Sequence, residues 1–242
     1  MRYNEQIKIR SYDVDMNGVL RPTVLLAKLE ELGAHQMVKY PPSNDDLRKE
    51  GKGFILSRVV LEVEKELRDG DICEGYTWAC DNSRGLSFNR CYELVKDGEV
   101  AARVYTVWAL LDINEKKLLR VEEYDTVGGE AESAFEIGIP LRVRMPRAEE
   151  YTEIAKRRVF YSDTDLNGHM NNTKYLNMLC DFVPDIEKRR LRGVNISYIA
   201  EAPLGDELTV CVKSEGDVFY FKTIRFDGKT NCEAVLYFEN RH

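Results

Sequence analysis

His169 closes the stretch Asp165-Leu166-Asn167-Gly168-His169, two residues after Asn167 and four after Asp165, directly ahead of a segment with helical spacing. The start of a helix presents unpaired backbone N–H groups, and its dipole favours developing negative charge. A titratable imidazole beside such donors suits acyl transfer, which needs one group to move a proton and others to hold an oxyanion. A carboxylate partner should come from a neighbouring strand. Glu201 is the candidate, since it follows a run that is apolar at Ile196, Ile199 and Ala200. The other histidines are His35, read as structural, and the terminal His242, so a three-histidine metal centre has too few ligands. The six cysteines are spread singly with no CxxC pair, which argues for free thiols and against a zinc site.

The loop that carries His169 occurs twice. Asp13, Asp15, Asn17 and Gly18 recur as Asp163, Asp165, Asn167 and Gly168 at a constant offset of 150 residues. Asp and Asn favour turns by bonding nearby backbone amides, so the shared residues have a structural reading. The copies differ where the chemistry would be, because Val19 stands in the first where His169 stands in the second. The counterpart of Glu201 in the first copy is either Leu61, if Ser57 is aligned with Ser197, or Glu66, if Gly70 is aligned with Gly205.

Each loop precedes a helix. In the first copy Leu25, Leu29, Leu32 and Gln36/Met37 mark the buried stripe, and Pro22 suits the first helical position. In the second, Tyr175/Leu176, Leu179/Cys180 and Phe182/Val183 repeat it. Pro184 ends it, Asn171 is the expected N-cap and Asn172 the first helical residue. Four strand-like runs follow each helix. They cover residues 54–68, 71–82, 86–96 and 100–112 in the first half, and 194–202, 207–214, 218–226 and 231–239 in the second. Turns separate them at Asp69-Gly70, Ser83-Arg84-Gly85 and Asp97-Gly98, and at Gly205-Asp206, Glu215-Gly216 and Asp227-Gly228. The expected fold is α+β, with two domains that each wrap an antiparallel sheet around one long helix. Residues 1–121 form the first domain, 122–153, with Gly128-Gly129 and two prolines, a linker, and 154–242 the second domain.

Composition sets the class of protein. A content of 43% hydrophobic and 32% charged residues is that of an ordinary globular chain. A net charge of −7 argues against general nucleic-acid binding. No apolar run approaches a bilayer span and the first ten residues lack the apolar core of a signal peptide, so a cytoplasmic location is expected.

The stretch from Asp163 to Tyr175 matches the signature D-x-D-x-N-x-H-V-N-N-x-x-Y, with Met170 at the usual valine. With Tyr12 to Asn17, Glu31 to His35 and Trp108 to Leu119, it makes residues 5–238 resemble the acyl-acyl-carrier-protein thioesterases of plants and bacteria, in the compact bacterial form. The resemblance implies a tandem pair of hotdog domains. It implies hydrolysis of a fatty acyl thioester on the carrier protein, terminating fatty acid synthesis. It assigns Asp165, Asn167 and His169 to the catalytic loop and Glu201 to the acid on the facing strand. Some plant members have a cysteine after that acid; here Ala202 rules out a nucleophile at that position.

On this resemblance Glu201 and His169 hold and deprotonate water, with direct attack by the Glu201 carboxylate as the other route. Asn167 and the backbone N–H groups around Asn171 and Asn172 bind the thioester oxygen, and Asp165 orients Asn167 and His169. No metal or cofactor is needed. The first domain is non-catalytic and holds the acyl chain, which Phe54, Ile55, Leu56, Trp78, Phe88 and Trp108 would line. The carrier protein is acidic, so a transient docking surface is expected at Lys188, Arg189, Arg190 and Arg192. Lys156 to Arg158 and Arg142, Arg144 and Arg147 are further candidates. Monomer and homodimer are both compatible with a tandem fold. Competing readings are an acyl-CoA thioesterase, a hotdog dehydratase and a non-catalytic acyl-binding regulator.

Overall fold

The computed structural model describes residues 2–80, 85–123 and 131–241. Residues Ser83 and Arg84 of one expected turn, Gly128-Gly129 and His242 lie outside the described residues. The elements run β1 (Tyr3–Lys8), α1 (Pro22–Lys39), α2 (Asn44–Lys49), β2 (Lys52–Val63), β3 (Ile72–Ala79), β4 (Phe88–Lys96), β5 (Glu99–Asp112) and β6 (Lys117–Leu119). They continue as β7 (Thr152–Arg158), α3 (Lys174–Cys180), β8 (Arg189–Tyr198), β9 (Glu207–Glu215), β10 (Val218–Arg225) and β11 (Thr230–Asn240).

Strand alternation is plain in β10, where Phe219, Phe221 and Thr223 point inward and their neighbours are half-buried. Every strand pairs antiparallel, in the order β1-β3-β4-β5-β2-β8-β11-β10-β9-β7, with β6 added to β5. The second half repeats the first in reverse, and the halves meet where β2 pairs β8 from Arg58↔Ser197 to Glu62↔Gly193. That pairing satisfies two edges that would otherwise be open templates for another chain. One apolar core runs through the junction, including Leu61 of β2, Val194 and Ile196 of β8 and Leu29 of α1.

The helices depart from equality. α1 has 18 residues with Pro22 at its start, and it buries Leu25, Leu29 and Leu32 as the spacing predicts. α3 has only 7 residues. It begins at Lys174, two residues later than expected, and stops at Cys180. Asn171 is not the N-cap of this helix, a position held by Thr173; its side-chain oxygen accepts from the Thr173 N–H at 2.9 Å and closes a turn ahead of it. That extra turn delays the helix.

The expected linker is packed rather than loose. Asn195 donates to the Pro140 carbonyl at 2.6 Å, Arg58 donates to the Leu141 carbonyl at 2.9 Å, and Phe135 stacks edge-on against Trp78.

Asp13 and Asp163, the first residues of the repeated loop, are structural. Asp13 is buried and meets Lys28 at 3.0 Å. Asp163 is also buried and accepts from Arg157 at 2.7 Å and from the Phe160 N–H at 2.8 Å. Burial alone would raise its pKa, but Arg157 and that N–H hold it below the usual carboxylate range. A group with a depressed folded pKa stabilises the fold above its unfolded pKa, about 3.9, and loses that contribution as pH falls through the folded value. Asp163→Asn is therefore expected to cost about 1–3 kcal/mol at pH 7. It should also shrink the gap between urea midpoints at pH 7 and pH 3. An unchanged gap would sink the assignment.

Candidate active site

Both repeated loops fold alike. Asp15 and Asp165 each accept the backbone N–H of Asn17 or Asn167 at 2.8 Å, and the Gly18 and Gly168 N–H groups return to the Asp15 and Asp165 carbonyls at 3.0 Å. The glycines sit at φ +72° and +77°, a region that side chains resist. Asp165 thus acts on the backbone of its loop. One carboxylate oxygen is given to the Asn167 N–H, and no hydrogen bond runs from the Asp165 side chain to the Asn167 or His169 side chain among the described residues.

The loop is held against the segment after β8. His169 pairs with Pro203 as an isolated bridge, and the Met170 N–H donates to the Ala202 carbonyl at 2.8 Å. In the first copy Val19 pairs with Arg68, and the Leu20 N–H donates to Leu67 at 2.7 Å. Pro203 therefore corresponds to Arg68, and Glu201 to Glu66 rather than Leu61.

These pairings bring His169 Nδ1 to 3.3 Å from Glu201 Oε2. His169 is half-buried and Glu201 largely exposed, so water reaches both. The pair faces a cavity of about 290 Å³ that Asp165, Asn167, Asn171, Asn172 and Tyr198 also line. Among the described residues, the Asn172 N–H has no backbone or side-chain acceptor, whereas the N–H groups of Asn171, Thr173 and Lys174 are all engaged. A backbone donor is thus available at Asn172. It belongs to a turn, so the expected support from a long helix dipole is absent.

The cavity lies between the halves. Glu30 of α1, Phe54, Ile55 and Leu56 of β2, and Trp108 of β5 complete its wall. A second, inner cavity lined by Gly33, Met37, Phe88 and Tyr92 shares Glu30, Phe54 and Trp108 with it. Trp78 does not line either one. It is fully buried with Phe135 and two cysteines.

Sequence reasoning missed Asn231 and Glu30. Asn231 is buried at the start of β11. Its carbonyl accepts the Ile199 and Ala200 N–H groups, and its side chain donates to the Ala200 carbonyl and, at 3.0 Å, to Tyr175 Oη. The first copy has Ala101 at the same place, its carbonyl taking the Glu64 and Lys65 N–H groups. The polar network thus exists only in the half that carries the histidine. Asn231→Ala leaves buried polar groups unpaired and frees the segment leading to Glu201. We expect turnover to fall about tenfold or more with far smaller change in KM, on the scale that small misplacements cost. A KM effect alone would argue against positioning.

The first-copy cavity, about 240 Å³, is lined by Asp15, Val19 and Glu66. There Glu66 is clamped by Arg241 at 2.7 Å and Arg68 at 3.1 Å, and no histidine is present. The basic run is also occupied. Arg189 pairs with Asp217 at 2.6 Å, Arg190 and Arg192 with Glu239 at 3.1 and 3.5 Å, and Lys188 with Asp185 at 3.0 Å. Three of the four cations are therefore engaged by carboxylates distant in sequence, with Arg190 and Arg192 sharing one, while Lys188 stays largely exposed beside Asp185. His35 meets Glu5 at 3.0 Å on the surface, away from the cavity lining.

All six cysteines are free. Among the described residues there is no cluster of metal-ligating side chains, and no helix is long and apolar enough to cross a membrane.

Comparison with known proteins agrees with this arrangement. The family model for the acyl-ACP thioesterase N-terminal domain matches residues 1–126, and that for the C-terminal domain matches residues 147–240. The chain is 22% identical over 232 residues to oleoyl-acyl carrier protein thioesterase 1 of Arabidopsis thaliana, covering 85% of this chain and 62% of that one. It is 24% identical over 219 residues to the palmitoyl-acyl carrier protein thioesterase of the same plant, covering 82% and 52%. The chain therefore spans between half and two-thirds of the length of these relatives. Its fold is that of an acyl-ACP thioesterase structure from Bacteroides thetaiotaomicron, with a TM-score of 0.87, 23% identity and 98% of each chain covered. With the tandem fold, the repeated loop and both domain models in agreement, this chain belongs to the acyl-ACP thioesterase family.

Proposed function

We propose that the chain hydrolyses the thioester of a fatty acyl-acyl carrier protein, releasing the free fatty acid and the carrier thiol and so ending elongation of that chain. The observation that carries this reading is the His169–Glu201 pair, 3.3 Å apart in a cavity shared with Asn167. His169 and Glu201 take the proton of an attacking water as its oxygen bonds to the thioester carbon. The Asn167 amide and the Asn172 N–H receive the resulting oxyanion. Collapse breaks the C–S bond, and the proton held by the pair passes to the leaving thiolate. The steps proposed here use no metal or cofactor. Attack by the Glu201 carboxylate itself, through an anhydride that water then opens, is the other route.

The first half, residues 1–121, serves as the acyl-binding domain, and the half from residue 154 as the catalytic one, joined by residues 122–153. The inner cavity behind Phe54 and Trp108 supports the first role. Val19 and the clamped Glu66 support a non-catalytic reading of its loop. Free thiols suit the reducing cytoplasm, where we place the reaction. Docking of the acidic carrier falls to Lys188 more than to Arg189, Arg190 or Arg192, because only Lys188 is largely exposed.

The test is release of fatty acid from a chain-length series of acyl-carrier proteins, with the matching coenzyme A esters alongside. Higher kcat/KM on the carrier-linked series supports the proposal. Equal or higher values on the coenzyme A esters would replace it with the acyl-CoA reading.

A further inference from the structure

Glu30 lies in the wall that the two cavities share. It lines the outer one with His169, Asn167 and Glu201, and the inner one with Gly33, Met37 and Phe88. An acyl chain whose thioester lies at His169 and whose tail enters the first half has to pass it. Glu30 has no hydrogen bond or ion pair among the described residues, unlike Asp163 or Glu66 on their own loops. The charged and titratable groups around it offer no relief. Asp165 faces it from the second-half loop as a like charge, and Tyr92 of β4 and Tyr198 of β8 lie near it. Arg90, on the inner cavity wall, is engaged with Gln36 and Thr77.

Burial, with the Asp165 charge added, pushes the Glu30 carboxyl up to about 7. Near neutral pH it thus has both a hydrogen-bond donor form and an acceptor form available. The remaining wall at this point is Phe54 and Trp108, and the Trp108 N–H is already given to Thr106 at 2.8 Å. Against a plain alkyl chain, the half-buried carboxyl would lose part of its water and gain no partner from the chain, a cost for either form. Against an oxygen on the chain, one form or the other has a partner. At the matching position 150 residues on, Cys180 lines the first-copy cavity, so the carboxyl is confined to the side with the histidine.

We propose that Glu30 is a specificity-determining residue that selects acyl chains bearing a hydroxyl or oxo group within the first few carbons beyond the thioester. The ionised carboxylate accepts from a hydroxyl, and the neutral acid donates to an oxo oxygen. The inference rests on the thioesterase reading above for its setting and narrows the substrate class.

The experiment compares saturated, 3-hydroxy and 3-oxo acyl-carrier proteins of equal length with wild type, Glu30→Gln and Glu30→Leu. Its readout is the ratio of kcat/KM for oxygenated over saturated substrate, in which any general loss from the substitution cancels. We expect a ratio of at least ten in wild type, near one in Glu30→Leu, and partly retained in Glu30→Gln. A wild-type ratio at or below one, or the same ratio in all three proteins, overturns the proposal.

Binding of the free 3-hydroxy and saturated acids, followed by tryptophan fluorescence since Trp108 lies in the wall, separates this outcome from failure of the hydrolase reading. If no substrate is cleaved yet the 3-hydroxy acid binds wild type at least fivefold more tightly and Glu30→Leu removes the difference, the hydrolase reading fails and the Glu30 assignment stands. Equal binding of the two acids to wild type sinks it.

Discussion

His169→Ala is expected to lower kcat/KM on acyl-carrier protein by about 100- to 10,000-fold, the usual range for a positioned general base. That corresponds to roughly 3–5.5 kcal/mol of transition-state stabilisation. The fold should tolerate the change. His169 is half-buried, its loop is held by backbone bonds from Asp165, Asn171 and Met170, and the first copy keeps the same loop with Val19 in its place. Acyl ligand should still bind, since the apolar part of the cavity wall comes from Phe54, Ile55, Leu56 and Trp108, which the substitution leaves in place. The measurement is kcat/KM from release of free fatty acid over a range of substrate concentrations, together with a thermal melt. Turnover within tenfold of wild type, with an unchanged melt, would remove His169 from the chemistry.

Glu201→Gln is the second large effect, and the duplication supplies its control. The glutamine keeps the shape and loses the charge that faces His169 Nδ1 at 3.3 Å, so the imidazolium formed during reaction lacks its counter-charge. We expect a loss of about 100-fold or more, by the same measure of proton-transfer catalysis. Glu66→Gln, at the corresponding place in the first copy, should leave turnover within twofold of wild type. There the carboxylate is bound to Arg241 and Arg68, and the expected cost is in stability, about 1–3 kcal/mol, by loosening a charge-assisted pair. Equal losses of turnover from both substitutions would mean that the halves do not divide the work as proposed. Single turnover in ¹⁸O-water then separates the two routes. Label in Glu201 requires attack by its carboxylate and opening of the anhydride at the glutamyl carbon, whereas label in the fatty acid alone is the outcome of direct water attack and equally of anhydride opening at the acyl carbon.

Much of this was legible in the sequence because it was written twice. The loops from Asp13 and Asp163 share their turn residues, so the change from Val19 to His169 directly after them marked the candidate site without any structure. The helical stripe Leu25, Leu29, Leu32 and the Asp-Gly turns sufficed for the α+β architecture, since side-chain periodicity and turn chemistry are local properties. The partner of His169 was legible only as a candidate. The strand between the copies differs in length, so Leu61 and Glu66 could each be aligned with Glu201. The Val19–Arg68 and His169–Pro203 bridges, which are contacts between segments far apart in sequence, decided for Glu66.

The remaining differences have the same origin. Lys188 to Arg192 read as a basic patch, yet Asp217 and Glu239 fold onto three of its residues, because neutralisation depends on which strands become neighbours. Asn231 and Glu30 carried no local signal at all. One is a polar residue at a strand end, the other one of many acids on a helix. Asn231 acquires its role from the Ala200 carbonyl and Tyr175 hydroxyl that packing brings to it. Glu30 acquires its position from the meeting of α1, β2 and the second-half loop around one cavity. The sequence by itself determined the elements, the duplication and the histidine, all of which depend on residue type and spacing along the chain. Tertiary structure alone decided which carboxylate meets His169, which backbone N–H stays open beside it and which residues wall the proposed acyl site, because each depends on distance through space between residues that the chain keeps far apart.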